Sequence, residues 1–237
     1  GAAAVVCEVA PEGNVPYILV DDVLTALRDM AEFYRSTLDI PMIGITGSVG
    51  KTSTKECIAS VLTRKYNVHK TEGNFNNEIG VPLTLLKIRD HHEVAVLEMG
   101  INHFGEMHRL SKMVKPDIVV MTNIGQCHLE FLGSRDGILQ AKSEIFDYLQ
   151  EEGTVILNGD DDKLSTIEHV KEKTPVMFGL GQKNTLYANE LISKGLFGTQ
   201  MKIHISKEAE TEFPELYEEA FCADMPLPGE HMVYNAL

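Results

Sequence analysis

Residues 41–54, Pro41-Met-Ile-Gly-Ile-Thr-Gly-Ser-Val-Gly-Lys-Thr-Ser-Thr54, leave this chain few folds to choose from. An apolar strand that ends in a Gly-Ser-x-Gly-Lys-Thr turn and feeds a helix belongs in an α/β sheet, and it reads as a phosphate cradle. Gly47 and Gly50 let backbone N–H groups turn inward. Lys51 adds a mobile cation, and Thr52 places a hydroxyl for a magnesium ion at the helix start. The strict P-loop spacing asks for glycine at position 45, where this sequence has Ile45, the nearest upstream glycine being Gly44. A βα turn that needs two glycines for backbone reasons alone leaves Lys51-Thr52 unexplained.

Beyond this stretch, buried-strand and helix signals alternate, which predicts an α/β fold: a P-loop-type, mostly parallel sheet flanked by helices. Strands are expected over Met42–Thr46, Val94–Met99, Ile118–Thr122, Thr154–Leu157 and Val176–Phe178. Helices are expected over Thr52–Lys65, Val81–Ile88, Gly105–Met113, Ser134–Gln150 and Asp160–Glu172. After Gly181 the period changes to two. Tyr187–Ser193 and Thr199–Ser206, with Gly195 and Gly198 between, predict a small antiparallel sheet near the C-terminus. Ahead of the sheet, Asp21 or Asp22 caps an amphipathic helix over Val23–Leu38, with Val23, Leu24, Leu27, Met30, Ala31 and Tyr34 on its apolar face. Residues 1–39 are therefore expected to be the tail of a preceding domain plus a linker helix, and residues 40–237 a second domain. Both ends read as cut, since Pro228 to Leu237 looks like the start of a helix.

Composition narrows the partners. A formal net charge of −14 argues against a nucleic-acid binder or an anionic-membrane binder, both of which need a positive field. Hydrophobic residues make up 43 %, yet no apolar run approaches the roughly 18 residues that a membrane span requires. Cys7, Cys57, Cys127 and Cys222 are widely spaced with no C-x-x-C, which predicts reduced thiols in a cytoplasmic protein.

Ligands of parallel α/β sheets sit beyond the carboxyl ends of the strands, so the residues that follow each strand are the candidates. Glu98-Met-Gly100 follows one, Thr122-Asn-Ile-Gly-Gln-Cys-His128 another, and the next helix presents Lys142. Glu98, facing a phosphate loop, suits nucleotide magnesium; an exposed glutamate closing a strand is the alternative. For His128 a solvated loop residue and a ligand are equally open, and Lys142 by itself reads as a surface lysine of an amphipathic helix. Asp160-Asp-Asp162 either caps the helix that follows or faces the nucleotide. The loop from Thr71 to Thr84 carries Asn74, Asn76 and Asn77. It either reads a polar substrate or uses asparagine for its turns.

Taken in order, Thr46-Gly-Ser-Val-Gly-Lys-Thr52, Gly73-Asn-Phe-Asn-Asn-Glu-Ile-Gly-Val-Pro-Leu-Thr84, Glu98-Met-Gly100, Thr122-Asn-Ile-Gly125 with His128-Leu-Glu130, Ala141-Lys-Ser-Glu144 and Leu227-Pro-Gly-Glu-His231 with Asn235 resemble the Mur ligases. The asparagine loop and Glu-Met-Gly resemble the branch that adds D-alanyl-D-alanine to UDP-N-acetylmuramoyl-tripeptide. The resemblance implies an N-terminal UDP-substrate domain of which residues 1–39 are the tail, a central ATP-binding domain over 40–237, and a C-terminal domain absent from this chain. It implies ATP-driven amide formation in peptidoglycan precursor synthesis through an acyl phosphate, and no turnover by these residues alone.

Carried over residue by residue, the resemblance assigns the nucleotide to Thr46, Gly47, Ser48, Val49, Gly50, Lys51, Thr52 and Ser53, with Asn235 at the adenine. Lys51, Glu98, His128 and Lys142 would be the catalytic set. Thr52 and Glu98 would bind one magnesium ion, and His128 with a carbamylated Lys142 a second. Asn74, Asn76 and Asn77 would meet the UDP-muramoyl peptide. A monomer is expected. Val49 and Met232 depart from the family pattern, which has asparagine at both positions. A related ligase with another acceptor, or an ATP-binding module without catalysis, are the competing readings.

Overall fold

The structure is a computed structural model that describes residues 3–127, 129–206, 209 and 220–237. Two short strands, β1 (Val5–Cys7) and β2 (Tyr17–Leu19), pair in parallel ahead of helix α1 (Val23–Ser36). Of the two candidate caps it is Asp22 that starts α1, its Oδ1 accepting the Thr25 N–H at 2.5 Å. Ala31 is buried and Tyr34 packs on the core, but Val23 and Met30 are exposed, so the buried stripe is rotated toward Arg35. The Arg35 guanidinium donates to the carbonyls of Val114 at 2.8 Å, Leu38 at 2.9 Å and Lys115 at 3.3 Å. An arginine thus adds a hydrogen-bonded tie between this helix and the sheet domain beside the apolar contacts of Ala31 and Tyr34.

The sheet domain runs β3 (Met42–Thr46), α2 (Lys51–Leu62), β4 (Val68–Lys70), α3 (Gly80–Leu85), β5 (Val94–Glu98), α4 (Glu106–Val114), β6 (Ile118–Met121), α5 (Leu129–Leu132), α6 (Arg135–Ser143), β7 (Thr154–Asn158) and β8 (Val176–Gly179). It continues through β9 (Leu186–Ser193), β10 (Thr199–Ile205), β11 (Ala220–Met225) and a last helix, α7 (Glu230–Ala236). Among the described residues one nine-stranded sheet results, ordered β11-β10-β9-β8-β7-β6-β3-β5-β4. The expected antiparallel region is present and continuous with the parallel strands, because Phe178 and Gly179 of β8 pair with Leu186 and Tyr187 of β9.

Alternate residues of the central strands feed two cores, as the two-residue strand period requires. Met42, Leu97, Met99, Val119 and Met121 join one large cluster, shared with Ala31, Leu85, Leu110 and Ile138 of the covering helices. Ile43, Ile45, Val94, Val96 and Val120 form the other, against Ile58 and Leu62 of α2. Strand order reverses at β3, with β5 on one side and β6 on the other. Ile45 is in register with Glu98, and Thr46 with Met121. The residues that follow these three strands therefore leave the sheet along one edge, at the switch point where ligands of such sheets bind.

Two expected helices differ. The segment 134–150 is helical only to Ser143, then tightens into a 3-10 turn over Glu144–Phe146. Over 160–172 there is a single 3-10 turn, Leu164–Thr166. Leu164 and Val170 are buried and Ile167 packs beside them, a spacing of three that imitates a helical stripe. The chain instead turns extended at Ile167 and left-handed at Lys171. No helix is long and apolar enough to cross a membrane among the described residues.

Candidate active site

The phosphate-loop stretch begins with β3, buried throughout, and turns at Gly47 and Gly50 into α2. Glycine is required at both turns. Gly47 has φ +144° and an added Cβ would lie 2.0 Å from Thr122 Oγ1, while Gly50 has φ +86° and its Cβ would lie 2.5 Å from Asn235 Oδ1. The loop is held from the neighbouring strand end. Asn123 accepts the Ser48 N–H on its carbonyl and the Val49 N–H on Oδ1, both at 3.0 Å, and its Nδ2 donates back to the Val49 carbonyl at 3.0 Å. Thr122 Oγ1 donates to that same carbonyl at 2.6 Å, and Ser48 Oγ accepts the Gly125 N–H at 2.8 Å. Position 49 is thus gripped through its backbone while its side chain is 60 % exposed, which explains how valine serves there.

With the N–H groups of residues 48 and 49 committed to Asn123, those of the first turn of α2 remain for an anion. Thr54 N is the one that reaches back to Gly50 O, at 2.9 Å, so the preceding groups lack acceptors within the helix. Lys51 folds over its own loop, Nζ donating to Gly47 O at 2.8 Å and Ser48 O at 3.4 Å. Burial lowers its pKa, and Glu98 and Cys127 act in the opposite sense. Thr46 Oγ1, at the end of β3, is buried with no hydrogen-bond partner among the described residues. A buried hydroxyl left alone costs about 1–3 kcal/mol, and such an atom beside an anion cradle fits a site made to be filled.

Glu98 closes β5 and is 2 % exposed. Its Oε2 accepts from Thr52 Oγ1 at 2.9 Å, and its Oε1 from Asn76 Nδ2 at 2.8 Å. Lys55 Nζ stands 4.0 Å from Oε2, donates to Thr71 O at 2.7 Å, and is 1 % exposed. The separation of the Thr52 and Glu98 oxygens is that of two neighbouring ligands on one octahedral ion, since bonds of 2.0–2.1 Å at a right angle span about 2.9 Å. Among the described residues no cluster of three His, Cys, Asp or Glu forms a metal cage. One carboxylate, one hydroxyl and a nearby phosphate site suit magnesium, which takes few protein ligands and keeps the rest for phosphate and water.

Lys142, at the end of α6, is 2 % exposed, so the surface alternative is removed. Burial pushes its ammonium down to about 7; the Lys51 charge adds to the fall and Cys127 opposes it. The Lys51 charge thus reaches Lys142, which places the end of α6 on the side of the phosphate loop. His128 lies outside the described residues.

The asparagines do different things. Asn77 Oδ1 accepts the N–H groups of Ile79 at 3.1 Å and Gly80 at 2.9 Å and so starts α3. Asn76 serves Glu98, and Asn74 is exposed. A cavity of about 190 Å³ lies between the loop and α7, lined by Val49, Gly50, Asn123, Asn158, Tyr234 and Asn235. Met232 is buried beside Val233 and anchors α7, its Sδ accepting from Asn235 Nδ2 at 3.5 Å. Thr54 Oγ1 donates to Asn235 Oδ1 at 3.3 Å, so Asn235 faces this cavity from a fixed position.

Asp160, Asp161, Asp162 and Glu144, which the sequence singled out, find partners that it did not indicate. Asp160 gathers the N–H groups of Leu180 and Gly181, the Asn184 amide and the Tyr234 hydroxyl, which burial and the Asp160 charge push up to about 12. Asp161 receives the Ile124 N–H at 2.9 Å and starts the turn at Leu164, and Asp162 pairs with Arg135. Glu144 accepts the N–H groups of Gly105 and His108 at the start of α4. All four cysteines are free.

Fold and site together define an α/β domain with a glycine turn at a helix start, an adjoining buried carboxylate and a cavity beside the turn. A family model, the Mur ligase middle domain, matches residues 45–237, and the chain belongs to the Mur ligase family. It is 43 % identical over 227 residues to the UDP-N-acetylmuramoyl-tripeptide--D-alanyl-D-alanine ligase of Bacillus subtilis (strain 168), covering 96 % of this chain and 46 % of the relative. A crystal structure of MurF from Acinetobacter baumannii superposes with a TM-score of 0.87 at 33 % identity, covering 98 % of this chain and 48 % of that one. MurF from Thermotoga maritima in complex with ADP gives a TM-score of 0.85 at 27 % identity, covering 99 % and 52 %. The chain spans about half the length of the relatives it matches.

Proposed function

We propose that this chain is the ATP-binding part of a cytoplasmic, monomeric amide ligase that joins D-alanyl-D-alanine to UDP-N-acetylmuramoyl-tripeptide in peptidoglycan precursor synthesis. Residues 1–39 are then the tail and linker of the UDP-substrate domain, and residues 40–237 the central domain. The observation that carries the reading is the 2.9 Å approach of Thr52 Oγ1 to Glu98 Oε2 beside the phosphate loop. It supports a metal-assisted phosphoryl transfer, and the relatives' names supply the substrates.

In this reading the N–H groups at the start of α2 and the Lys51 ammonium hold the β- and γ-phosphates, and Asn235 meets the adenine. Thr52 and Glu98 hold one magnesium ion. His128 and Lys142 serve a second, with Lys142 carbamylated. Magnesium bound there neutralises charge on the transferring phosphoryl group. The tripeptide carboxylate takes the γ-phosphoryl group to become an acyl phosphate, and ADP leaves. The neutral amine of D-alanyl-D-alanine then attacks the acyl carbon, the acyl C–O bond breaks to release phosphate, and the amine gives up a proton. The loop that carries Asn74, Asn76 and Asn77 meets the UDP-muramoyl peptide. The protein's work is positioning and charge neutralisation.

The test is ATP-dependent phosphate release by the full-length gene product with UDP-N-acetylmuramoyl-tripeptide and a panel of amines. D-alanyl-D-alanine is expected to outpace single amino acids and ammonia by at least about a hundredfold, as a site built on hydrogen bonds does. Equal turnover with another amine would overturn the acceptor assignment, and release with no amine present would point to a module without ligation.

A further inference from the structure

We infer that Asn76 is a positioning residue for the Glu98 carboxylate, and through it joins the asparagine loop to the metal; this rests on the reading of Glu98 as a magnesium ligand. Glu98 has two oxygens, and a metal bound beside Thr52 needs Oε2 presented to it. Asn76 Nδ2 holds the other oxygen, Oε1, at 2.8 Å. When the Thr52 hydroxyl turns its lone pair to the ion, the 2.9 Å bond it makes to Oε2 is given up. The Asn76 bond involves neither metal-facing atom and persists, so it fixes which oxygen points at the ion. Outer contacts of this kind orient ligands in metal sites.

The rest of the loop is built to keep Asn76 there. Its carbonyl accepts the Gly100 N–H at 2.7 Å, two residues beyond Glu98. A Cβ on Gly100 would sit 3.2–3.3 Å from the Asn76 amide atoms, closer than ordinary contact, so glycine leaves the space that the amide crosses. At the other end of the loop Thr71 Oγ1 accepts the Glu98 N–H at 2.9 Å, while the Thr71 carbonyl takes the buried Lys55 ammonium at 2.7 Å. Glu98 is held from its main chain by residue 71 and from its side chain by residue 76. Whatever orders the intervening loop therefore bears on the carboxylate, and by linkage the metal bears on the loop.

Manganese serves as the probe, titrated by electron paramagnetic resonance into the ADP-saturated protein, with ADP affinity in EDTA measured alongside. Asn76→Ala is expected to weaken manganese binding about tenfold, in the 10–100-fold range of outer-contact losses, and to leave metal-free ADP affinity within about twofold. Gly100→Ala should weaken manganese in the same direction, and adding Asn76→Ala to Glu98→Gln should cost nothing further, because the two act as one unit. A simple structural defect would instead lower ADP affinity in EDTA and add to Glu98→Gln. Either of those results, or unchanged manganese affinity in Asn76→Ala while Glu98→Gln loses it, overturns the inference alone. Unchanged affinity in Glu98→Gln overturns the metal reading with it.

Discussion

Replacing Lys51 with alanine is expected to weaken magnesium-ATP binding by about 10- to 150-fold, the equivalent of the ~1.5–3 kcal/mol that a hydrogen bond to a charged group contributes. The ammonium is already drawn over the loop by the carbonyls of Gly47 and Ser48, so its charge stands where phosphate is expected. Its removal should leave the fold intact. The loop's shape is set by Asn123, by Thr122 Oγ1 and by the Ser48–Gly125 bond, none of which uses the Lys51 side chain. Titration calorimetry measures the effect directly, and an unchanged affinity would speak against the phosphate-cradle assignment.

Lys142→Arg is expected to damage turnover of the full-length enzyme as much as Lys142→Ala, about 10- to 100-fold in each case, although arginine keeps the positive charge. The side chain is almost wholly buried close to another lysine, an arrangement that penalises an ammonium. Its pKa falls from 10.5 to about 7, so the neutral amine is half-populated near pH 7. A neutral amine adds carbon dioxide to become a carbamate, whose anionic oxygens suit magnesium; a guanidinium stays charged and does neither. At fixed dissolved carbon dioxide, carbamate labelling at Lys142 should rise between pH 6 and 8, well below the range where ordinary lysines deprotonate.

The same shift has a stability consequence of defined sign. The folded pKa lies below the unfolded one, so the folded chain binds fewer protons between about pH 7 and 10.5, and stability rises with pH through that window. Lys142→Met should remove this slope and stabilise the chain most at pH 7 and below, read from urea unfolding at several pH values. Near-normal turnover of Lys142→Arg, or labelling that survives the mutation, would end the carbamate reading.

The sheet was legible because parallel strands are uninterrupted apolar runs: Met42–Thr46 has the same bounds in sequence and structure, and its register neighbours follow from the same signal. The turn at 47–50 was legible because two glycines between an apolar strand and a helix start mark a change of chain direction, and both adopt positive φ. What was not legible depends on distance along the chain. Asn76 and Glu98 are 22 residues apart, and nothing local distinguishes an amide that reads a substrate from one that holds a carboxylate. Lys142 looked like a surface lysine because burial of its helix face is decided by packing. The Asp160-Asp-Asp162 run reads as a helix cap or a nucleotide contact; Asp161 does start the turn at Leu164, but the three side chains also serve Ile124, Arg135, the 180–184 turn and Tyr234, and the three-residue spacing of Leu164, Ile167 and Val170 imitates a full helix.

A crystal structure of the protein grown with ADP and manganese decides whether the 47–52 loop and Glu98 form one nucleotide–metal site. The β-phosphate is expected against the first N–H groups of α2 and Lys51, the adenine beside Asn235, and an anomalous manganese peak bonded to Thr52 Oγ1 and Glu98 Oε2. ADP bound away from the 47–52 loop, or phosphates in the loop with manganese remote from Glu98, would contradict the single site.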